Sequence, residues 1–130
     1  MDKREIIKSN NAPEAIGAYS QAVSVSGFLF ISGQIPIDKD SNKIVSDDFK
    51  VQVKQCLLNI SGILKEKKLE IDNIVKITVY LTDLNKFNIL NDVFIGFFKG
   101  CNYPARAAVE VSRLPKDSQV EIDAICYNDN

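Results

Sequence analysis

Residues 102–126 read NYPARAAVEVSRLPKDSQVEIDAIC. This stretch holds two strand-like runs around a turn, and it decides the fold. From Arg106 to Ser112 small and branched residues dominate, which suits a strand. The segment RLPKDS, Arg113–Ser118, carries the proline, aspartate and serine of a turn. From Gln119 to Tyr127 apolar residues alternate with acids, as in Val120-Glu121-Ile122-Asp123. Alternation with period two buries one face of a strand and places Glu121 and Asp123 together on the other. An arginine among alanines, followed by regularly spaced acids, is the feature a functional account must explain.

Upstream, Ile74–Leu81 (IVKITVYL) is branched and alternating, and predicts another strand. Between it and residue 102 the spacing of Phe87, Leu90, Phe94, Phe97 and Phe98 predicts a helix over about Asn85–Lys99, ended by Gly100. Phe49, Val53, Cys56, Leu57, Ile60, Ile63 and Leu64 recur at intervals of three and four, which predicts a longer helix before it. Ser46 or Asp47 is placed to cap its start. Lys65, Lys67 and Lys68 suit its end, as a solvated terminus. Earlier still, Ala22–Val25 and Phe28–Ser32 flank Gly27 as a hairpin, and Glu5–Lys8 predicts a short edge strand. The order is β-β-α-β-α-β-β with one further N-terminal strand. It implies a single domain over residues 1–130, of α+β class, with both helices on one face of a mixed sheet. The other face then needs a cover. In a chain this small a second copy is the natural one, so an oligomer is expected.

Hydrophobic residues make up 45% and charged ones 25%, so a packed core is within reach. The net charge of −1 gives no electrostatic pull toward nucleic acid or an anionic membrane. No apolar run approaches the ~20 residues of a membrane span, and the charged start MDKREIIKSNN is no secretory signal. A cytoplasmic location is expected. Cys56, Cys101 and Cys126 are scattered and read as free thiols. The sequon at Asn59 falls inside the long helix and is discounted.

Phosphate-binding glycine loops are missing, and Asp38 and Asp40 read as turn residues, not calcium ligands. The chain has no histidine. Catalysis must therefore run on carboxylates, arginine, hydroxyls, backbone groups or water. Arg106 has room around its guanidinium, and a fork of donors fits a carboxylate. A structural ion pair with Glu110 or Glu121 is the competing reading. Glu121 suits acid–base work if its face is covered; an exposed sheet face is the alternative. Taken singly, Tyr19, Ser20, Ser32 and Asn91 read as hydrogen-bonding structural residues. Phe94, Phe97 and Phe98 read as core.

The blocks GAYSQAV, FISGQIP, VKITVYLTDLNKFNILNDVF and YPARAAVEVSRLPKDSQVEIDAI, in this order, resemble the RidA (YjgF) family across roughly Ile6–Ile125. The resemblance implies a chorismate-mutase-like fold of the bacillus type, assembled as a homotrimer with three clefts between subunits. It implies hydrolysis of C=N bonds: an enamine or imine such as 2-aminoacrylate or 2-iminopropionate gives a 2-ketoacid and ammonia. No cofactor or metal is implied, and neither is a nucleic-acid or membrane partner. By matching position, Arg106 grips the substrate carboxylate and Glu121 positions or activates water. Tyr19, Ser32 and Asn91 line the cleft. Ala108 departs from the cysteine of many members, where the contact is made largely through the backbone. A non-catalytic trimer that senses small 2-ketoacids, as a regulator or chaperone-like protein, is the alternative. RNA cleavage, an older label in this family, finds little support in this charge and composition.

Overall fold

The computed structural model describes residues 3–128. Six strands form one sheet: β1 (Glu5–Ile7), β2 (Ala22–Val25), β3 (Phe28–Gln34), β4 (Ile74–Leu81), β5 (Ala105–Glu110) and β6 (Val120–Tyr127). Their order is β1-β2-β3-β6-β4-β5. Only β4 and β5 pair in parallel; the other neighbours are antiparallel. The last strand is thus threaded between β3 and β4, which run parallel to each other on its two sides. Two helices, α1 (Phe49–Glu66) and α2 (Phe87–Phe97), connect these strands and cover one face. This is the α+β arrangement expected.

Period decides what each element buries. All seven positions of the α1 stripe are buried, together with Gln52, Asn59 and Gly62. They meet Ile77, Val79 and Leu81 of β4 and Val120, Ile122 and Ala124 of β6, the alternate residues facing the helices. Asn59 is buried too. Its amide donates to the carbonyls of Ile35 (3.2 Å) and Ile37 (3.1 Å), so it anchors the chain leaving β3 and is no surface sequon. Gly62 is required by packing: a Cβ there would collide with the Asn11 carbonyl, so the N-terminal segment can lie on the helix.

Boundaries moved where local chemistry overrode pattern. The cap of α1 is Asp48, one residue past the expected pair, because its carboxylate reaches the Val51 N–H at 3.1 Å. Ser46 instead accepts from the Asp48 N–H. A 3₁₀ turn at Leu84–Lys86 precedes α2, which therefore begins at Phe87. It ends at Phe97, before Gly100, whose φ of +83° serves the following turn. Phe97 is half-buried, whereas Phe94 and Phe98 belong to the core. Strand β1 stops at Ile7, β3 continues to Gln34, β5 spans Ala105–Glu110 and β6 starts at Val120. Lys67 is not merely solvated: its ammonium pairs with Glu5 at 2.8 Å, tying the end of α1 to β1.

The cysteines are free, with Cys56 and Cys126 buried. Burial pushes both thiols up, Cys126 to about 12, with the Glu121 charge adding to the effect at Cys56. Two measurements follow. A thiol reagent at neutral pH should modify only Cys101 quickly in the native protein, and all three residues in denaturant. Leu57→Ala, at a site with no exposure, should cost about 2–5 kcal/mol in urea unfolding. A cost under ~1 kcal/mol would mean that α1 is not clamped on the sheet as described.

Candidate active site

The candidate residues sort onto two faces of one sheet. Arg106 pairs in register with Ile77, and Ala108 with Val79, both buried beneath the helices. Adjacent residues in register share a face, so Arg106 points to the helical side. There its guanidinium lies 5.1 Å from the ring centroids of both Phe87 and Phe94 on α2. Aromatic faces hold a planar cation without consuming its hydrogen-bond donors. Among the described residues Arg106 forms no ion pair. The expected alternative, a bond to Glu110 or Glu121, is overturned: Glu110 instead accepts from the Leu84 N–H at 2.9 Å. A groove of about 530 Å³ opens beside Arg106, lined by Asn91, Phe94, Ile95, Tyr103 and Pro104.

Glu121 lies on the opposite face. It alternates with buried Val120 and Ile122 and pairs in register with Tyr80. Its cavity, about 340 Å³, is lined by Tyr19, Ser32, Gly33, Ile35 and Pro115. A β-bulge shapes this half. Ile31 pairs with Ala124 and Gln34 with Ile122, so Ser32 and Gly33 together oppose Asp123. Bulges re-aim side chains and recur beside sites. The Gln34 amide donates to the Ser32 carbonyl (3.1 Å) and closes the bulge. The Ser32 hydroxyl donates to the Ser20 carbonyl (2.6 Å), which ties the bulge to the loop carrying Tyr19. Tyr19 is exposed, and its hydroxyl accepts from the Ile16 N–H at 3.2 Å. Below this loop the buried Gln21 accepts from the Ser9 N–H and donates to the carbonyls of Ser9 and Pro13.

Gly33 carries the closest approach in this half. A Cβ on it would run into the Glu121 carboxylate. The carboxylate therefore nests against bare backbone, half-buried. Burial, and then the neighbouring Asp123 charge, raise its pKa above the ordinary 4.5. Such a group is a stronger base than a solvated carboxylate.

Of the residues expected from sequence, Arg106 and Asn91 come together in one groove, and Glu121, Tyr19 and Ser32 in the other. Ala108 sits beside the first, partly buried against the core. Among the described residues, Arg106 lines one cavity and Glu121 another. Gly33, Ile35 and Pro115 in one half, and Ile95, Tyr103 and Pro104 in the other, were not singled out. Gly33 lay within the FISGQIP block, but a bulge is a pairing irregularity and leaves no local signal.

One mixed sheet backed by two helices defines the class, a small α+β domain; Arg106 lies against two aromatic rings on one face and Glu121 is half-buried on the other. The family model described as Endoribonuclease L-PSP matches residues 9–128, and the chain belongs to this family, the RidA/YjgF family. A human 2-iminobutanoate/2-iminopropanoate deaminase is 46% identical over 122 residues, covering 94% of this chain and 88% of the relative. The crystal structure of a Rid-family protein from Yersinia pestis superimposes with a TM-score of 0.93 at 43% identity, covering 96% of this chain and 99% of its own. E. coli TdcF, solved with bound serine, gives 0.91 at 40% identity, covering 95% and 98%.

Gly33→Ala should push the Glu121 carboxyl out of the bulge toward water. Its titration midpoint, read by carboxyl-detected NMR, should fall toward the ordinary glutamate value. An unmoved midpoint would mean that the bare backbone of Gly33 is not what seats the group.

Proposed function

We propose that this protein is an enamine/imine deaminase, which hydrolyses small 2-imino acids such as 2-iminopropionate to 2-ketoacids and ammonia. The observation that carries the reading is the pair of half-sites. One presents an unpaired guanidinium fork suited to a carboxylate, the other a half-buried carboxylate of raised basicity. The human relative, a 2-iminobutanoate/2-iminopropanoate deaminase, and the serine held by TdcF, an amino acid with a carboxylate, support it.

Arg106 and Glu121 point to opposite sides of the same sheet, so one chain does not bring both to one substrate. In the proposed assembly, a homotrimer of chorismate-mutase-like domains, the Arg106 groove of one copy meets the Glu121 cavity of its neighbour. The exposed apolar residues Phe28, Phe30 and Tyr127 on the helix-free face supply surface for that contact. Arg106 binds the carboxylate in a fork, with Asn91 beside it. Backbone near Ala108 and Ser32 holds the nitrogen side, and Tyr19 lines the cleft. Glu121 takes a proton from water as the water oxygen bonds to the imine carbon. The resulting carbinolamine regains a proton on nitrogen, and ammonia leaves as the ketone forms. Imines hydrolyse readily in water, so orientation, one charge clamp and one base are sufficient without a cofactor.

A coupled assay tests this. A dehydratase acting on serine or threonine releases the enamine, and ketoacid formation is followed with and without the protein. Arg106→Ala should lose a charge-assisted pair of roughly 2–5 kcal/mol. That is about 30-fold or more in rate. Arg106→Lys should also fail, because a point charge does not reproduce the fork. No acceleration with several amino-acid precursors would favour a ligand-binding regulator instead.

The divided site adds a sharper test. Arg106→Ala and Glu121→Ala proteins, each expected to be strongly impaired alone, should together reach about a quarter of wild-type activity when their subunits are co-refolded, since random mixing leaves that fraction of shared sites intact. No recovery would overturn the shared site. In the wild type, activity should fall with decreasing pH at a midpoint above 4.5, as Glu121 takes up its proton.

A further inference from the structure

The helix-free face holds a second carboxylate that the reaction above does not use. Asp123 follows Glu121 by two residues on β6, so both project from the same side. Across the ladder, Tyr80 pairs in register with Glu121, and Thr78 with Asp123. Yet the Tyr80 hydroxyl does not turn to Glu121. It crosses diagonally and donates to Asp123 Oδ2 at 3.1 Å. Asp123 also lies opposite the Ser32–Gly33 bulge that seats the Glu121 carboxylate. The tyrosine thus fixes one carboxylate and leaves the other its open cavity.

We propose that Tyr80 and Asp123 are a positioning pair for Glu121: the tyrosine hydroxyl holds the aspartate on the same face two residues along β6, so that a second carboxylate stands beside the one that takes the proton. The inference rests on the deaminase reading for its effect on rate, but the pair itself is a matter of geometry.

Other charged groups facing Glu121 are few. On β4, Lys76 shares the face but sits beyond Asp123, at the pair with Ile125. On β3, Ser32 and Gly33 are the neighbours and carry no charge. Beneath the sheet on α1, Cys56 is buried, with its thiol donating to the Val120 carbonyl at 3.8 Å and held neutral by burial. Lys116 borders an adjoining cavity and spends its ammonium on the Asn42 carbonyl, 2.9 Å away. Within one chain Asp123 is therefore the formal charge that bears most directly on Glu121; in the proposed assembly the neighbouring copy's Arg106 acts in the opposite sense. Like charge disfavours ionisation, and the better base is the one whose proton affinity lies nearer the working pH. The tyrosine keeps its own proton: burial first, then Asp123, raise its pKa above 10.

The test is a pair of pH profiles with a direct titration. Asp123→Asn keeps size and polarity but removes the charge. The acid limb of kcat should move to lower pH, while the plateau falls roughly two- to threefold because the base is weaker. Asp123→Glu should restore much of the wild-type profile, and Tyr80→Phe should shift the limb the same way as Asp123→Asn, by less. A merely structural role would lower activity at all pH values without moving the limb. Carboxyl-detected NMR of Glu121 in the ligand-free protein reads the same effect without turnover. A midpoint that drops in Asp123→Asn in a protein without imine hydrolysis would sink the deaminase reading and keep the pair. An unmoved midpoint in an active enzyme would overturn the pair and keep the reading.

Discussion

Everything in this molecule is referred to the strand β6. It lies between β3 and β4, the two longest partners it could have, and is hydrogen-bonded on both edges. Its alternation is the strictest in the chain. Val120, Ile122, Ala124 and Cys126 are buried, while Glu121, Asp123 and Ile125 are half-buried and Tyr127 is exposed. One set packs under α1; the other defines the helix-free face. A slip of one residue would exchange them and put two carboxylates among the apolar residues packed under α1. The register is therefore held by charge as much as by apolar packing. Because β3 and β4 are read off β6, their faces follow.

How much of this could be seen in the sequence depends on the range of the interaction concerned. The α1 stripe, the alternation of β4 and β6, and the order of elements are local patterns, and they were legible. So was the placement of Glu121 and Asp123 on one face. The helix cap moved by one residue because Asp47 and Asp48 carry the same chemistry and only backbone geometry chooses between them. Less accessible was the relation between Arg106 and Glu121. Each could be assigned to a strand, but their relative side depends on β4 pairing in parallel with β5 and antiparallel with β6, contacts distant in sequence. For the same reason the topology excludes an ion pair between them within one chain, which the spacing alone allows. The Tyr80–Asp123 bond, 43 residues apart, and the bulge at Ser32–Gly33 belong to this class too.

Arg106 and Glu121 are prepared by opposite means. Arg106 is held by two aromatic rings, which attract the cation without consuming its N–H donors. A carboxylate partner in the same place would fix it as well, but would also neutralise it. Glu121 is prepared by the removal of water and by a like charge, which store basicity and offer no donor. Each device would be undone by the other at close range. A guanidinium beside Glu121 would lower its proton affinity, and a carboxylate beside Arg106 would occupy the fork.

The sheet separates them. With Arg106 on the helical side and Glu121 on the open side, a single chain cannot relax into the salt bridge that would inactivate both. If the proposed assembly joins the halves across a subunit boundary, cation and base share one cleft. A substrate carboxylate would then take the fork, and its charge would shield Glu121 from the arginine. On that proposal the substrate completes the electrostatics of its own site: until it binds, the arginine would weaken the base, and once it binds, the base would regain its strength. On this view the alanines around Arg106 and the bare backbone at Gly33 serve one end. Both keep groups of opposite charge accessible to a small acid without giving either a permanent partner.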